Sequence, residues 1–566
     1  MGGLRRWCVS VNRQLLWSSP VFTPPLHDCH VAVQKVAMGG PDAADSDEPV
    51  KVVAIVGAGL AGLAAANALR HSRNCRPLLL EASDSIGGRV RQISAGDGGV
   101  HEMGAEFFHG SSAAAKQLSD EFGLSTDQIF TTAHGDGGPD DEPAPDGGLG
   151  YYVAEDETVL PWDSTDRGFV ALNDALDRMR EYTGDDQMSV AAFLRAQGVP
   201  ERMLSLAAAS YSNTLGVGSD LESLPLRAVA HLERLWLVDG YGDFRLADDR
   251  TTGGGDGVGT PRGLGRLCAP LAHGIELRLS WPVATIATAA AETPSRRLIV
   301  TSHGGARLHV DSVIVAVPVR VLQQRKLTFS PPLPLHQQRA IDSIRVDGAC
   351  KVVLHFSRVP WPEHGAIAAA LSAHPLHSII SARGPVPELW FRSGNSGEWT
   401  ASGFATGDFA AALGAMSQAA AAQAMLGQLA GVLSKVLAIA VRAHDTDRSD
   451  GHFSGAECDA DELLSRLRAR LVGAHVVDWA AEPWIGGGYS SPSFAELPHA
   501  RAAYRSPSFG GLVSFCGEAT EDACMTMSAA IESGRRAAQE VQSALSTVRG
   551  SSSDAGSSSV RAYARL

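Results

Sequence analysis

The sequence predicts an α/β fold organised around a dinucleotide-binding unit, and three observations carry that prediction. "KVVAIVGAGLAGLAAANALR", Lys51 to Arg70, is an apolar run that enters G-x-G-x-x-G at Gly57, Gly59 and Gly62 and continues with helical periodicity. "RPLLLEA" follows as a second apolar strand and ends in Glu81, at about the twenty-residue spacing that such units show. "EASDSIGGRV" then places Gly87, Gly88 and Arg89 just beyond that carboxylate.

Each part has a physical reason. Gly57 permits the tight turn, Gly59 lets backbone approach a pyrophosphate, and Gly62 lets helix and strand pack closely. The helix N-terminus favours phosphate charge, and a carboxylate ending the second strand accepts hydrogen bonds from ribose hydroxyls. A glycine pair at 87 and 88 admits backbone beside a cofactor, and Arg89 can bond its phosphates.

Bulk properties narrow the class. At 566 residues the chain is long enough for more than one domain, and 48 Lys+Arg against 62 Asp+Glu make it acidic. That balance argues against a general nucleic-acid or anionic-membrane binder and suits a cationic substrate. The eight cysteines are scattered, with no C-x-x-C and no Cys/His cluster of metal-ligand spacing, so free thiols and no metal site are expected. Two uncharged stretches, Val52 to Leu69 and Phe409 to Ser434, have the length of membrane spans. Glycines break the first, and the second reads as one Ala-rich helix with a packed face, so no membrane span is expected.

Residues 1–48 carry Arg5, Arg6 and Arg13 with little periodicity. They fit an organelle transit segment, a disordered leader, or an extension ahead of a start at Met38. "GDGGPDDEPAPDGG", 135–148, reads as a solvated loop, and 547–566 as a flexible tail. The tail ends Ala564-Arg565-Leu566, similar to the S-K-L peroxisomal signal, so a peroxisomal address is expected, with the basic leader or a cytoplasmic location as alternatives.

"GACKVVLHF", Gly348 to Phe356, alternates as a strand with Lys351 opposite Val352, Leu354 and Phe356. A buried ammonium is costly, so Lys351 reaches solvent on an edge strand, pairs with an acid, or is placed for chemistry.

The glycine-rich unit with "EASDSIGGRV" resembles the flavin-binding signature of the FAD-dependent amine oxidases, the family of monoamine oxidases, polyamine oxidases and lysine-specific histone demethylases. "GAEFFHG" (104–110), "IELRLSWPVATIA" (275–287), "VIVAVPVRVL" (313–322), "FCGEAT" (515–520) and "MTMSAAIESGRRAA" (525–538) extend the resemblance over about residues 50–545 in order. The spermine-type polyamine oxidases are the most similar branch.

The resemblance implies a discontinuous Rossmann-like FAD-binding domain (50–118, 259–325 and 476–546) and a mixed-sheet substrate domain with helices (119–258 and 326–475). It implies that Gly104 and Ala105 line the flavin, that Val283 meets the adenine, and that Glu518 bonds the ribityl or phosphate region. Thr526 and Met527 begin a helix aimed at the isoalloxazine. Lys351 falls on the family's lysine, which reaches flavin N5 through a water; a fixed cation there stabilises charge developing as oxygen is reduced. Tyr489 forms one wall of the amine cage, Thr526 stands where monoamine oxidases carry a second tyrosine, and His109 matches a histidine placed for a substrate nitrogen. Gly488 replaces the cysteine that monoamine oxidases join to flavin, so non-covalent FAD is expected.

The implied reaction is hydride transfer from the carbon next to an amine nitrogen to flavin N5, with imine hydrolysis and peroxide release. The implied partners are a small amine, above all a polyamine, and molecular oxygen. A monoamine or L-amino-acid oxidase is the enzymatic alternative, and a binding protein of the GDP-dissociation-inhibitor type the non-enzymatic one. "DGYGDFRLADD" (239–249) either attracts a polycation or is a solvated loop.

Overall fold

The computed structural model describes residues 50–547 apart from 95–99, 131–148, 241, 248–262, 290–296, 374, 395–396 and 445–458. The leader, the loop 135–148 and the terminal tripeptide therefore lie outside the described residues. In chain order the elements that build the site are β1 (Lys51–Val56), α1 (Leu60–Leu69), β2 (Cys75–Leu80), β3 (Leu149–Val153), β4 (Val159–Pro161), β5 (Glu276–Arg278), β6 (Val283–Thr288), β7 (Ser312–Val315), β8 (Ala349–Phe356), β9 (Leu376–Ser381), β10 (Glu388–Ser393), β11 (Trp399–Thr406), α2 (Gln418–His444), β12 (Leu471–Asp478), β13 (Val513–Phe515) and α3 (Met527–Thr547).

One sheet is wholly parallel, in the order β5-β2-β1-β7-β13. Its strands are near-continuous apolar runs because both faces are covered. Helix α1 leaves β1 through a turn in which Gly57 has φ +105°, and a Cβ there would stand 2.8 Å from the Ala316 carbonyl oxygen. At Gly62 a Cβ would come within 1.9 Å of the Gly57 carbonyl oxygen, so close packing of helix on strand requires glycine.

The second sheet has seven strands, in the order β12-β8-β11-β10-β9-β3-β4, antiparallel except for β9 beside β3. Helix α2 covers one face, burying Met425, Leu429, Leu433 and Leu437 against Val352, Leu354 and Phe356 of β8. By length and composition Gln418–Arg442 could cross a membrane, but over half of its most apolar window is buried in this core.

One alternative falls and two stretches divide. Strand β8 is not an edge: it pairs with β11 and β12, and all eight of its residues are buried. Its two faces belong to two hydrophobic clusters, one under α2 and one with Met103, Val477 and Trp479. The stretch 409–434 is not one helix: Gly407–Gly414 ends, the chain turns, and Ser417 accepts the Ala420 N–H as α2 begins. The stretch 275–287 is not one strand: Ser280, at φ +49°, and Pro282 separate β5 in the parallel sheet from β6 in a four-stranded sheet.

Candidate active site

Residues of the two sheets line a cavity of about 1890 Å³ including its open mouth. Its nucleotide end is built by the turn after β1. Glu81, 7% exposed, accepts the Ala58 N–H at 2.6 Å and the Ser83 N–H at 2.8 Å. Gly59 opens α1 without a side-chain cap, so the first-turn N–H groups stay available. Gly57, Gly59, Gly88 and Val283 line this end, whereas Gly62 packs behind it.

Further along, Arg89 and Glu518 form an ion pair at 2.9 Å. Glu518 also accepts the Ser490 hydroxyl at 2.7 Å and the Met525 N–H at 3.3 Å. Burial pushes the Glu518 carboxyl up, but Arg89 and Ser490 outweigh it and hold the group below the usual carboxylate range. The two residues expected to reach the cofactor thus satisfy each other. Arg89 also donates to the Gly488 carbonyl at 2.8 Å. A Cβ at Gly488 would lie 2.8 Å from that of Ala349, so a cysteine there requires a shift of β8.

Lys351 lines the cavity with its side chain 2% exposed. Its ammonium is 2.5 Å from Glu106 Oε2, donates to the Gly104 carbonyl at 3.4 Å, and lies 5.1 Å from the Trp390 ring centre. Trp390 donates its indole N–H to the same Glu106 oxygen at 3.0 Å. Burial raises the Glu106 carboxyl, yet the ammonium beside it wins and holds it below its ordinary value.

The sheet register explains the rest. Lys351 of β8 pairs with Phe404 of β11, which pairs with Glu388 of β10, so the three form a row on one face. Trp390, two residues beyond Glu388, shares that face. Glu388 Oε1 accepts the Asn213 amide at 2.7 Å and the Thr214 hydroxyl at 2.9 Å. Asn213 is pinned in turn by the Thr406 N–H at 2.7 Å and follows a π-helical turn, Ala208–Ser212. Burial outweighs these neutral donors and pushes Glu388 up to about 7. Tyr489 faces Phe404 with ring centres 6.5 Å apart and 28° between planes, and donates its hydroxyl to the Thr214 carbonyl at 2.7 Å.

His109 lines the same space, and its Nδ1 meets Asp243 Oδ1 at 2.6 Å. The His109 side chain is 58% exposed in the open cavity, and Asp243 beside it raises the imidazole pKa above its ordinary value. "DGYGDFRLADD" is therefore not simply a solvated loop: its Asp243 is 9% exposed and holds His109. Gly104, Ala105, Thr526 and Met527 also line the cavity. The Thr526 hydroxyl accepts the Ala529 N–H at 3.0 Å and caps α3, so the ring opposite Tyr489 is Phe404.

The cavity thus gathers every residue singled out from sequence except Gly62. Sequence reasoning missed Glu106, Glu388, Trp390, Phe404, Asn213 and Thr214. Glu106 had a signal, since a buried lysine demands an acid and "GAEFFHG" supplies one among aromatics. E-x-W in "ELWFRS" had a weaker one, a carboxylate and an indole at period two on one strand face.

An uncapped helix N-terminus, backbone held open by glycine, and a carboxylate at the end of β2 fit a dinucleotide. Fold and site define a dinucleotide-binding protein whose cavity runs on to a mixed sheet. Residues 60–542 match the family model of flavin containing amine oxidoreductases, and the chain belongs to that family. Polyamine oxidase 3 of Oryza sativa subsp. japonica is 27% identical over 322 residues, which cover 54% of this chain and 60% of that one. Human lysine-specific histone demethylase 2 is 27% identical over 326 residues, 55% of this chain and 35% of that one. The match thus spans less than two thirds of either relative. Two solved structures share the fold. Putrescine oxidase bound to putrescine has a TM-score of 0.63 and 19% identity, covering 88% of this chain and 99% of that one. Cyclohexylamine oxidase from Brevibacterium oxydans has a TM-score of 0.64 and 19% identity, covering 88% and 100%.

Proposed function

We propose that the chain is an FAD-dependent amine oxidase of the polyamine-oxidising kind, using oxygen as acceptor and holding FAD without a covalent link. When bound, FAD supplies the two-electron acceptor: the carbon beside a neutral amine nitrogen gives up hydride, the imine hydrolyses, and oxygen leaves as peroxide. Glu81 would hold the ribose hydroxyls, the N-terminus of α1 the pyrophosphate, and the N-terminus of α3 the negative end of the ring system.

One observation carries the reading: the Lys351–Glu106 pair lies buried between the glycine-rich half and the substrate sheet and faces the cavity between them. Lys351 provides a fixed charge in a water-poor site, Glu106 and Trp390 keep it in place, and Tyr489 and Phe404 give the amine's alkyl chain an apolar wall. Asp243 favours the imidazolium of His109, making it a hydrogen-bond donor to the substrate side. Gly488 offers no thiol for attachment.

The lining cations also favour an amine over an amino acid. Arg89 is committed to Glu518, Lys351 to Glu106 and His109 to Asp243, so each of these lining cations already has a carboxylate of its own. The purified protein should be yellow, lose its colour anaerobically with an amine, and release its FAD on acid precipitation. Colour that no amine bleaches would refute the activity, and flavin retained in the acid pellet would refute non-covalent binding.

A further inference from the structure

Glu388 has one oxygen to spare. Both donors that reach it, Asn213 and Thr214, bond Oε1, and among the described residues no donor meets Oε2. That oxygen belongs to a residue lining the cavity, on the same sheet face as Lys351 and separated from it by Phe404. Strands in a sheet lie about 4.8 Å apart, so the row sets Lys351 and Glu388 roughly 10 Å apart at the backbone. Between them Phe404 and Tyr489 make an apolar stretch.

Cation, apolar wall and half-satisfied carboxylate in that order describe a receptor for a molecule with two nitrogens joined by an alkyl chain. One nitrogen must be neutral for its neighbouring carbon to lose hydride, while the other carries its ordinary positive charge and needs an acceptor. Of the other acids on the cavity lining, Glu81 lies at the nucleotide end and accepts two backbone N–H groups, Glu106 is taken by Lys351 and Glu518 by Arg89. Glu388 is held only by neutral donors. Thr214 links the two walls, since its hydroxyl donates to Glu388 and its carbonyl accepts from Tyr489.

We propose that Glu388 is the specificity-determining carboxylate that receives the second, non-reacting cationic nitrogen of a di- or polyamine, with Asn213 and Thr214 as its positioning residues. This rests on the amine-oxidase reading above. A monoamine of equal length would fill the apolar stretch but leave Oε2 without a donor.

The test, run at about pH 8 where Glu388 is ionised, compares 1,4-diaminobutane with n-pentylamine, in which a methyl replaces the second amine, on wild-type, Glu388→Gln and Glu388→Asp holoenzymes. A hydrogen bond to a charged group is worth about a ten- to hundredfold change in an equilibrium constant. Glu388→Gln should therefore lower the diamine-to-monoamine ratio of kcat/KM ten- to hundredfold, with the loss in the diamine KM rather than in kcat. Glu388→Asp keeps the charge and should retain most of the preference, also answering the case in which the Gln variant folds poorly. A ratio within twofold of wild type in Glu388→Gln, or a loss in Glu388→Asp as large as in Glu388→Gln, overturns the assignment. If no di-, poly- or monoamine bleaches the wild-type flavin, the amine-oxidase reading fails first and the assignment with it.

Discussion

Two carboxylates on the walls of one cavity, Glu106 and Glu388, behave in opposite ways. Both are desolvated, and desolvation alone would push each carboxyl up. Glu106 has an ammonium at 2.5 Å and stays below its ordinary value; Glu388 has an amide and a hydroxyl and rises to about 7. The difference teaches that here the partner, not the burial, decides protonation. It also divides the labour: Glu106 is spent inside the protein, while Glu388 is left for something that arrives.

The largest expected effect comes from breaking the pair. Lys351→Met leaves Glu106 buried without its cation, and removal of one partner from a buried pair costs about 3–5 kcal/mol. Chemical denaturation should show that loss in Lys351→Met and recovery of most of it in Lys351→Met with Glu106→Gln. Equal instability of the single and double variants would show that the pair is not what fixes Glu106.

Glu388→Gln should differ sharply. At about pH 5, where the folded protein holds Glu388 protonated, a glutamine carbonyl accepts the same two bonds from Asn213 and Thr214, so stability there should change by less than about 1 kcal/mol. A loss as large as that of Lys351→Met would erase the contrast.

The third effect is one of pH. Glu388 is raised from 4.5 to about 7 in the folded state, so between those values the folded protein holds a proton that the unfolded chain has released. Its contribution to stability is fully present below the unfolded pKa and is lost as pH rises through about 7. Glu388→Gln does not titrate, so relative to wild type it should gain stability between pH 5 and 7.5. A constant difference across that range would place the Glu388 pKa at its ordinary value.

How much was legible in the sequence follows the same division. The glycine-rich turn and Glu81 depend on local backbone geometry, which a short stretch of sequence encodes completely. Lys351 was visible as an anomaly, but its place in a central strand was not, because alternation looks the same in an edge strand and in one whose faces lie under two different clusters. Glu388, Phe404 and Lys351 are brought together by strand register across three segments, and Asn213 by a π-helical turn; neither leaves a local pattern. The helix over 409–434 divided where Ser417 could cap a new one, a boundary that alanine-rich composition hides.

The central claim is that the Lys351 ammonium is placed for the oxygen half of the reaction. The Lys351→Met, Glu106→Gln double variant tests it without leaving a buried charge behind. Stopped-flow measurement should find anaerobic flavin reduction by amine within a few-fold of wild type. Reoxidation by oxygen should slow about a hundredfold, the lower end for loss of one preorganised charge, since Glu106 cancels part of the ammonium's field. Reoxidation at the wild-type rate would contradict the account and make Lys351 a packing residue of its strand.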